Sequence, residues 1–112
     1  MTEYYLEPKN DRANSFYHKA KVVEEFGTLS LISYKSCICQ IRKKGEDDVE
    51  VVVYDVKDYY GKSLTFSNTS IRHLKEFLIQ NGLTADSKAQ ICKDYIIVDS
   101  GNVDKLSYGV KM

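Results

Sequence analysis

The stretch Ser67-Asn68-Thr69-Ser70-Ile71-Arg72-His73-Leu74-Lys75-Glu76-Phe77-Leu78-Ile79-Gln80-Asn81-Gly82 constrains the fold more than any other segment. Its Ile71, Leu74 and Leu78 follow the i, i+3, i+7 spacing that gathers side chains on one helical face, and Phe77 and Ile79 widen that stripe. Arg72, Lys75, Glu76 and Gln80 fall on the other side, so the spacing predicts an amphipathic helix over about 69–81 that must cover something apolar. Ser67, Asn68, Thr69 and Ser70 are all residues able to accept from the free N–H groups of a first turn. Asn81-Gly82-Leu83 predicts the stop, with glycine in the left-handed conformation and Leu83 folding back towards Leu78.

The flanking segments read as strands. Residues 18–26 and 28–34 alternate apolar and polar positions and are separated by Gly27, which predicts a hairpin turning at Phe26-Gly27. A helical reading of Ser15 to Phe26, with Phe16, Ala20 and Val23 on one face, is the competitor. Cys37 to Arg42 reads as a third strand with Cys37, Cys39 and Ile41 on a single face. Lys43 to Asp48 is a charged turn, and Val49 to Val56 is a β-branched run with the strongest strand signal. Residues 57–66 read as a loop, about 87–94 as a short second helix, and 95–98 as a short strand that Asp99-Ser100-Gly101-Asn102 ends. Residues 1–14 hold the only proline and read as an extended arm tied down by Tyr4 and Leu6. The expectation is one α+β domain over 1–112, a small antiparallel meander of four to five strands covered by one main helix.

Composition narrows the class. No apolar run approaches the roughly 20 residues of a membrane span, and the first residues lack a signal peptide's basic and apolar regions, which predicts a cytoplasmic chain. Sixteen basic residues balance sixteen acidic ones, so neither a generally basic nucleic-acid binder nor an acidic mimic of nucleic acid is favoured. Three cysteines, an odd count, predict reduced thiols. Nine tyrosines against no tryptophan point to surface recognition, because tyrosine suits interfaces and Tyr4-Tyr5 and Tyr59-Tyr60 sit in polar surroundings.

Few residues suggest chemistry. Cys37 and Cys39 with Cys92 and a histidine could ligate zinc, but a second closely spaced pair is missing and buried free cysteine explains them. His73 could act as a general base if a nucleophile and an orienting carboxylate converged on it, yet with only His18 and His73 in the chain no sequence-local triad is visible; the plainer reading is a histidine at the helix–sheet margin bonded to backbone. Glu46, Asp47, Asp48 and Glu50 read as a hydrated turn or as a patch for an arginine-rich partner, without the ligand order of a calcium loop. Lys9, Arg12, Lys19 and Lys21, interleaved with Phe16 and Tyr17, read as solvated edge residues or as a nucleic-acid contact.

Ser33-Tyr34-Lys35-Ser36-Cys37-Ile38, then Ser67 to His73 and Phe77-Leu78, resemble a family of short bacterial proteins of unknown function. Its pattern is S-Y-x-[TS]-x-[IV], then S-x-T-[TS]-x-[RK]-H, then F-L; Tyr4-Tyr5-Leu6, Phe16-Tyr17 and Lys19-Ala20 look like the version on plasmids, phages and conjugative elements. The resemblance covers most of the first 83 residues and carries over no catalytic residue. It implies a small, cofactor-free binding protein that inhibits a host defence complex, such as an anti-CRISPR protein blocking a Cas effector with its guide RNA. The expected contacts are Tyr59, Tyr60, Asp47, Asp48 and Asp58, with Arg72 reaching from the helix. The alternative is a nucleic-acid-associated accessory of plasmid or phage replication using Lys9 to Lys21.

Overall fold

Alternating segments joined by tight turns build a single six-stranded sheet in the computed structural model, which describes residues 1–102. Its strands are β1 (Thr2–Tyr5), β2 (Ala20–Glu25), β3 (Thr28–Ser33), β4 (Ser36–Lys43), β5 (Val49–Lys57) and β6 (Ile96–Asn102). They lie in chain order across the sheet, with helices α1 (Asn68–Gln80) and α2 (Lys88–Asp94) inserted between β5 and β6. The α+β class and the single main helix agree with the sequence expectation; the last ten residues of the expected domain lie outside the described residues.

Three details correct that expectation. The sheet has six strands rather than four or five, because the arm contributes β1 beside the four central strands and the strand expected at 95–98. β1 pairs antiparallel with β2, Thr2 opposite Glu24 and Tyr5 opposite Lys21, yet all four of its side chains are exposed, so no apolar alternation marks it. β6 pairs parallel with β5, which makes the sheet mixed instead of a pure meander. The two helices carry the chain back to the start of β5, as a parallel crossover requires. Asp99 to Asn102 extend β6 rather than ending it; Asp99 sits opposite Asp55, and Lys57 Nζ donates to its carboxylate at 2.9 Å.

The Phe26-Gly27 hairpin is as expected, with both residues at positive φ (52° and 79°), the signature of a turn whose twist matches its strands. The cysteine face is not. Leu31 lies opposite Cys39 but Ile32 lies opposite Cys37, so Ile38 is an extra residue in β4. This bulge sends Cys37 and Cys39 to opposite faces and lets Ile38 and Cys39 both enter the core.

One face of the sheet is covered. Ala20, Val22, Leu29, Leu31, Cys39, Ile41, Val51 and Val53 bury against Leu74, Phe77 and Leu78 of α1, Ile91 of α2, and Leu6 and Phe16 of the arm. The other face is solvated and carries a polar network. There Tyr54 Oη donates to Gln40 Oε1 at 2.7 Å, Arg42 donates to both, and Gln40 donates to Ser30. Ser67 caps α1 by accepting from Ser70 N–H. At the other end Gly82 N–H donates to Ile79 and Leu83 N–H to Leu78, with Gly82 at φ 78°, which completes the predicted glycine stop.

Candidate interaction surface

The face that α1 turns to the sheet is not the one its apolar residues alone define. Ser70, His73, Leu74, Phe77 and Leu78 are buried at positions i, i+3, i+4, i+7 and i+8, whereas Ile79 is exposed. The two polar members are satisfied by β3. Ser33 Oγ lies 2.9 Å from Ser70 Oγ and 2.8 Å from His73 Nδ1, and one hydroxyl with a proton and two lone pairs serves both bonds. His73 is thus anchored to a side chain, not to backbone. Burial and the nearby Arg72 cation hold its pKa below the ordinary imidazole value, so it sits neutral in the core.

A serine 2.8 Å from an imidazole is nucleophile–base spacing. Here the group that completes the set is Ser70 rather than a carboxylate, all three side chains are buried, and Phe16 lies edge-on to the imidazole at 4.6 Å between ring centroids. The arrangement ties strand to helix.

Glu76, expected on the solvent side, is fully buried beneath the N-terminal arm. Its Oε1 accepts from Asn10 N–H at 2.8 Å, and its Oε2 accepts from Asn10 Nδ2 at 3.0 Å and from Gln80 Nε2 at 2.6 Å. Burial alone would raise its pKa; the donors from Gln80 and Asn10 together outweigh it and leave the carboxyl below the ordinary value. One turn away, Arg72 pairs with Asp11 of the arm and Gln80 donates to Glu7 O. The hydrogen bond from Arg72 is the main reason the Asp11 carboxyl falls to about 2. Arg72 is therefore a strut for the arm rather than a free contact on the helix face. It lines an open cleft of about 580 Å³ between residues 10–12, α1 and Ala85-Asp86.

The remaining expected contacts do not form one patch. Asp47 and Asp48 are exposed in the turn before β5, whereas Asp58, Tyr59 and Tyr60 follow its last residue. At about 3.3 Å per residue, β5 separates the two groups by roughly 25 Å. At the Tyr59–Tyr60 end the backbone is tightly specified. Asp58 Oδ1 accepts from Tyr60 N–H and Lys62 N–H, both at 2.9 Å, and Gly61 N–H donates to Asp58 O with Gly61 at φ 82°. This turn holds the two tyrosine rings in edge contact, 5.4 Å between centroids, with Tyr59 71% and Tyr60 90% exposed.

Sequence reasoning missed Ser33, Ser70 and Glu76 as buried polar positions, because small or charged residues on a strand or helix are read as solvent-facing by default. For Ser70 the signal was its spacing with His73 and Phe77 along one face, and for Ser33 its place in the alternation after Leu29 and Leu31. For the cysteines, burial raises the Cys37 thiol to about 11 and pushes Cys39 higher still, so neither offers a thiolate. Among the described residues, no three His, Cys, Asp or Glu side chains converge as metal ligands, and no helix is long and apolar enough to cross a membrane.

Residues 4–93 match a family of unknown function, DUF8033. No curated protein and no solved structure matches the chain.

Proposed function

The chain belongs to the DUF8033 family, and we propose that it is a non-enzymatic binding protein that occupies a functional surface of a macromolecular partner through the Tyr59–Tyr60 turn. The observation that carries this reading is the exposed tyrosine pair. Two large rings stand in solvent on a turn whose backbone Asp58 and Gly61 hold in one conformation. Rings ordered before binding lose little entropy on docking, which is why rigid tyrosines make good interface anchors.

The partner class follows from the resemblance seen in the sequence: a host defence complex, first a Cas effector loaded with its guide RNA, met by a protein of a mobile genetic element. Purified chain should reduce target cleavage by such an effector, and Tyr59→Ala with Tyr60→Ala should abolish the effect. Full cleavage at large molar excess across several effectors would overturn the partner class. Inhibition that survives the double substitution would overturn the surface.

A further inference from the structure

Among the described residues, four non-glycine positions adopt left-handed backbone conformations, and three of them meet at one end of the sheet: Tyr17 (φ 53°), His18 (φ 61°) and Tyr34 (φ 58°). At Tyr34 the positive φ belongs to the two-residue β3–β4 turn and the ring leans on that of His73, whereas Tyr17 and His18 hold theirs outside any hairpin, where asparagine or glycine would relieve the cost. Tyr17 is 76% exposed and Tyr34 more than half exposed. Their placement is nonetheless closely defined. Lys19 N–H donates to Phe16 O, Tyr17 N–H donates to Ser15 Oγ, and Tyr34 N–H donates to Lys19 O at 2.7 Å. The last bond locks the β3–β4 turn against the segment before β2.

The rings and charges there flank that end of the sheet, Tyr5 on the face of Lys21 and the Tyr34 ring on the helix side, 5.9 Å from the ring of His73. His18 stacks on Tyr5 with centroids 4.1 Å apart and planes 13° from parallel. Lys19 Nζ sits 5.9 Å from the centre of the Tyr34 ring, and Lys35 follows Tyr34 in the turn. Both lysines are exposed, and neither forms an ion pair among the described residues, whereas Lys21 on the neighbouring strand is paired with Glu3. Strain at exposed rings, an open stack and two uncompensated ammonium groups have a common use. Rings offer faces to unpaired bases, and lysines between them hold the phosphates.

We propose that Tyr5, Tyr17, His18 and Tyr34, with Lys19 and Lys35, form a binding surface for single-stranded nucleic acid. This goes beyond the proposed function, since it concerns other residues and another class of ligand. A protein partner would be expected to place carboxylates near the two lysines but would leave the parallel Tyr5–His18 stack without a role.

The test uses the full chain and a short fluorescein-labelled oligothymidylate or oligouridylate, with binding read by anisotropy. Binding at low salt should weaken as salt rises, with a log–log slope of about −1.4 for two lysine–phosphate contacts on a single strand. Tyr17→Asn with Tyr34→Asn should weaken it by roughly tenfold or more, because stacked bases lose their platforms. The same pair should keep or raise the urea midpoint, since asparagine tolerates the left-handed backbone. Lys19→Gln with Lys35→Gln should flatten the salt slope and tests the surface should the tyrosine variant fold poorly. Tyr59→Ala with Tyr60→Ala should leave oligonucleotide binding intact, which separates this inference from the partner-inhibition reading. No anisotropy change at low salt, a salt-independent affinity, or unaltered binding by the substituted chains would overturn it.

Discussion

Replacing Glu76 by alanine should unfold the protein more easily than its helix position suggests. The carboxylate is fully buried and accepts three hydrogen bonds, two of them from Asn10 of the arm. A bond to a charged group contributes about 1.5–3 kcal/mol, and a buried donor left without a partner costs about 1–3 kcal/mol. Asn10 and Gln80 are both exposed residues whose freed donors water can reach, so the loss is that of the bonds to the charged carboxylate, and the expected destabilisation is about 3 kcal/mol. With a urea slope of about 1.5 kcal/mol/M, the midpoint should fall by about 2 M. Glu76→Gln should cost less, because the amide oxygen still serves one donor while its NH2 opposes another. The acid limb gives a second readout. The folded carboxyl lies below its ordinary value, so its stabilisation is fully present above the unfolded pKa near 4.5 and disappears as pH falls through the folded value. Wild type should therefore lose stability over that window more steeply than the Glu76→Gln variant. A midpoint shift under about 0.5 M for the alanine variant, or identical acid limbs, would refute the claim that this carboxylate pins the arm to α1.

Four other outcomes follow from the same geometry. Ser33→Ala should cost about 1–3 kcal/mol in chemical denaturation, because it strips a partner from both Ser70 and His73. His73, held neutral by burial, gives a stability that should decline as pH drops through the unfolded imidazole value of about 6.5, and His73→Leu should remove that part of the pH profile. Gly82→Val should destabilise by about 1 kcal/mol or more, since the position sits at φ 78° with open space around it and only its backbone objects to a side chain. Asp47→Asn with Asp48→Asn should change stability by under about 0.5 kcal/mol and leave partner inhibition intact, as these residues lie at the far end of β5 from Tyr59 and Tyr60.

The parts of the fold that sequence exposes are those where one residue type has one physical meaning. Gly82 after an apolar periodicity ends a helix, and Phe26-Gly27 between alternating segments turns a hairpin; both stand as read. The failures share a cause. β1 and the end of β6 are held by backbone ladders, which leave no side-chain pattern, so polar Thr2-Glu3 and Asp99-Ser100 read as arm and terminator. A single bulge at Ile38 reverses the face of every residue before it, and no periodicity in Cys37-Ile38-Cys39 announces it. Among the candidate contacts, Tyr59, Tyr60 and Asp58 cohere because they are local to one turn. Asp47, Asp48 and Arg72 share only a chemistry suited to binding with them, and the length of β5 and the presence of Asp11 set them apart.

The two sequence segments that carry the resemblance are far apart in the chain, yet Ser33 of one bonds Ser70 and His73 of the other, 37 and 40 residues further along. Their shared residues thus mark a point where β3 and α1 are fastened together in a core with little room to vary. Tyr34, within the first segment, departs from that role: its ring is half exposed, its backbone is left-handed, and its N–H reaches out to Lys19 rather than inward. Its φ is that of the two-residue β3–β4 turn, and the inner side of the ring leans on that of His73, 5.9 Å between centroids. The buried serines and histidine therefore fasten the two segments to each other. The tyrosine that rides on them covers His73 with one side of its ring and leaves the other side open to a ligand.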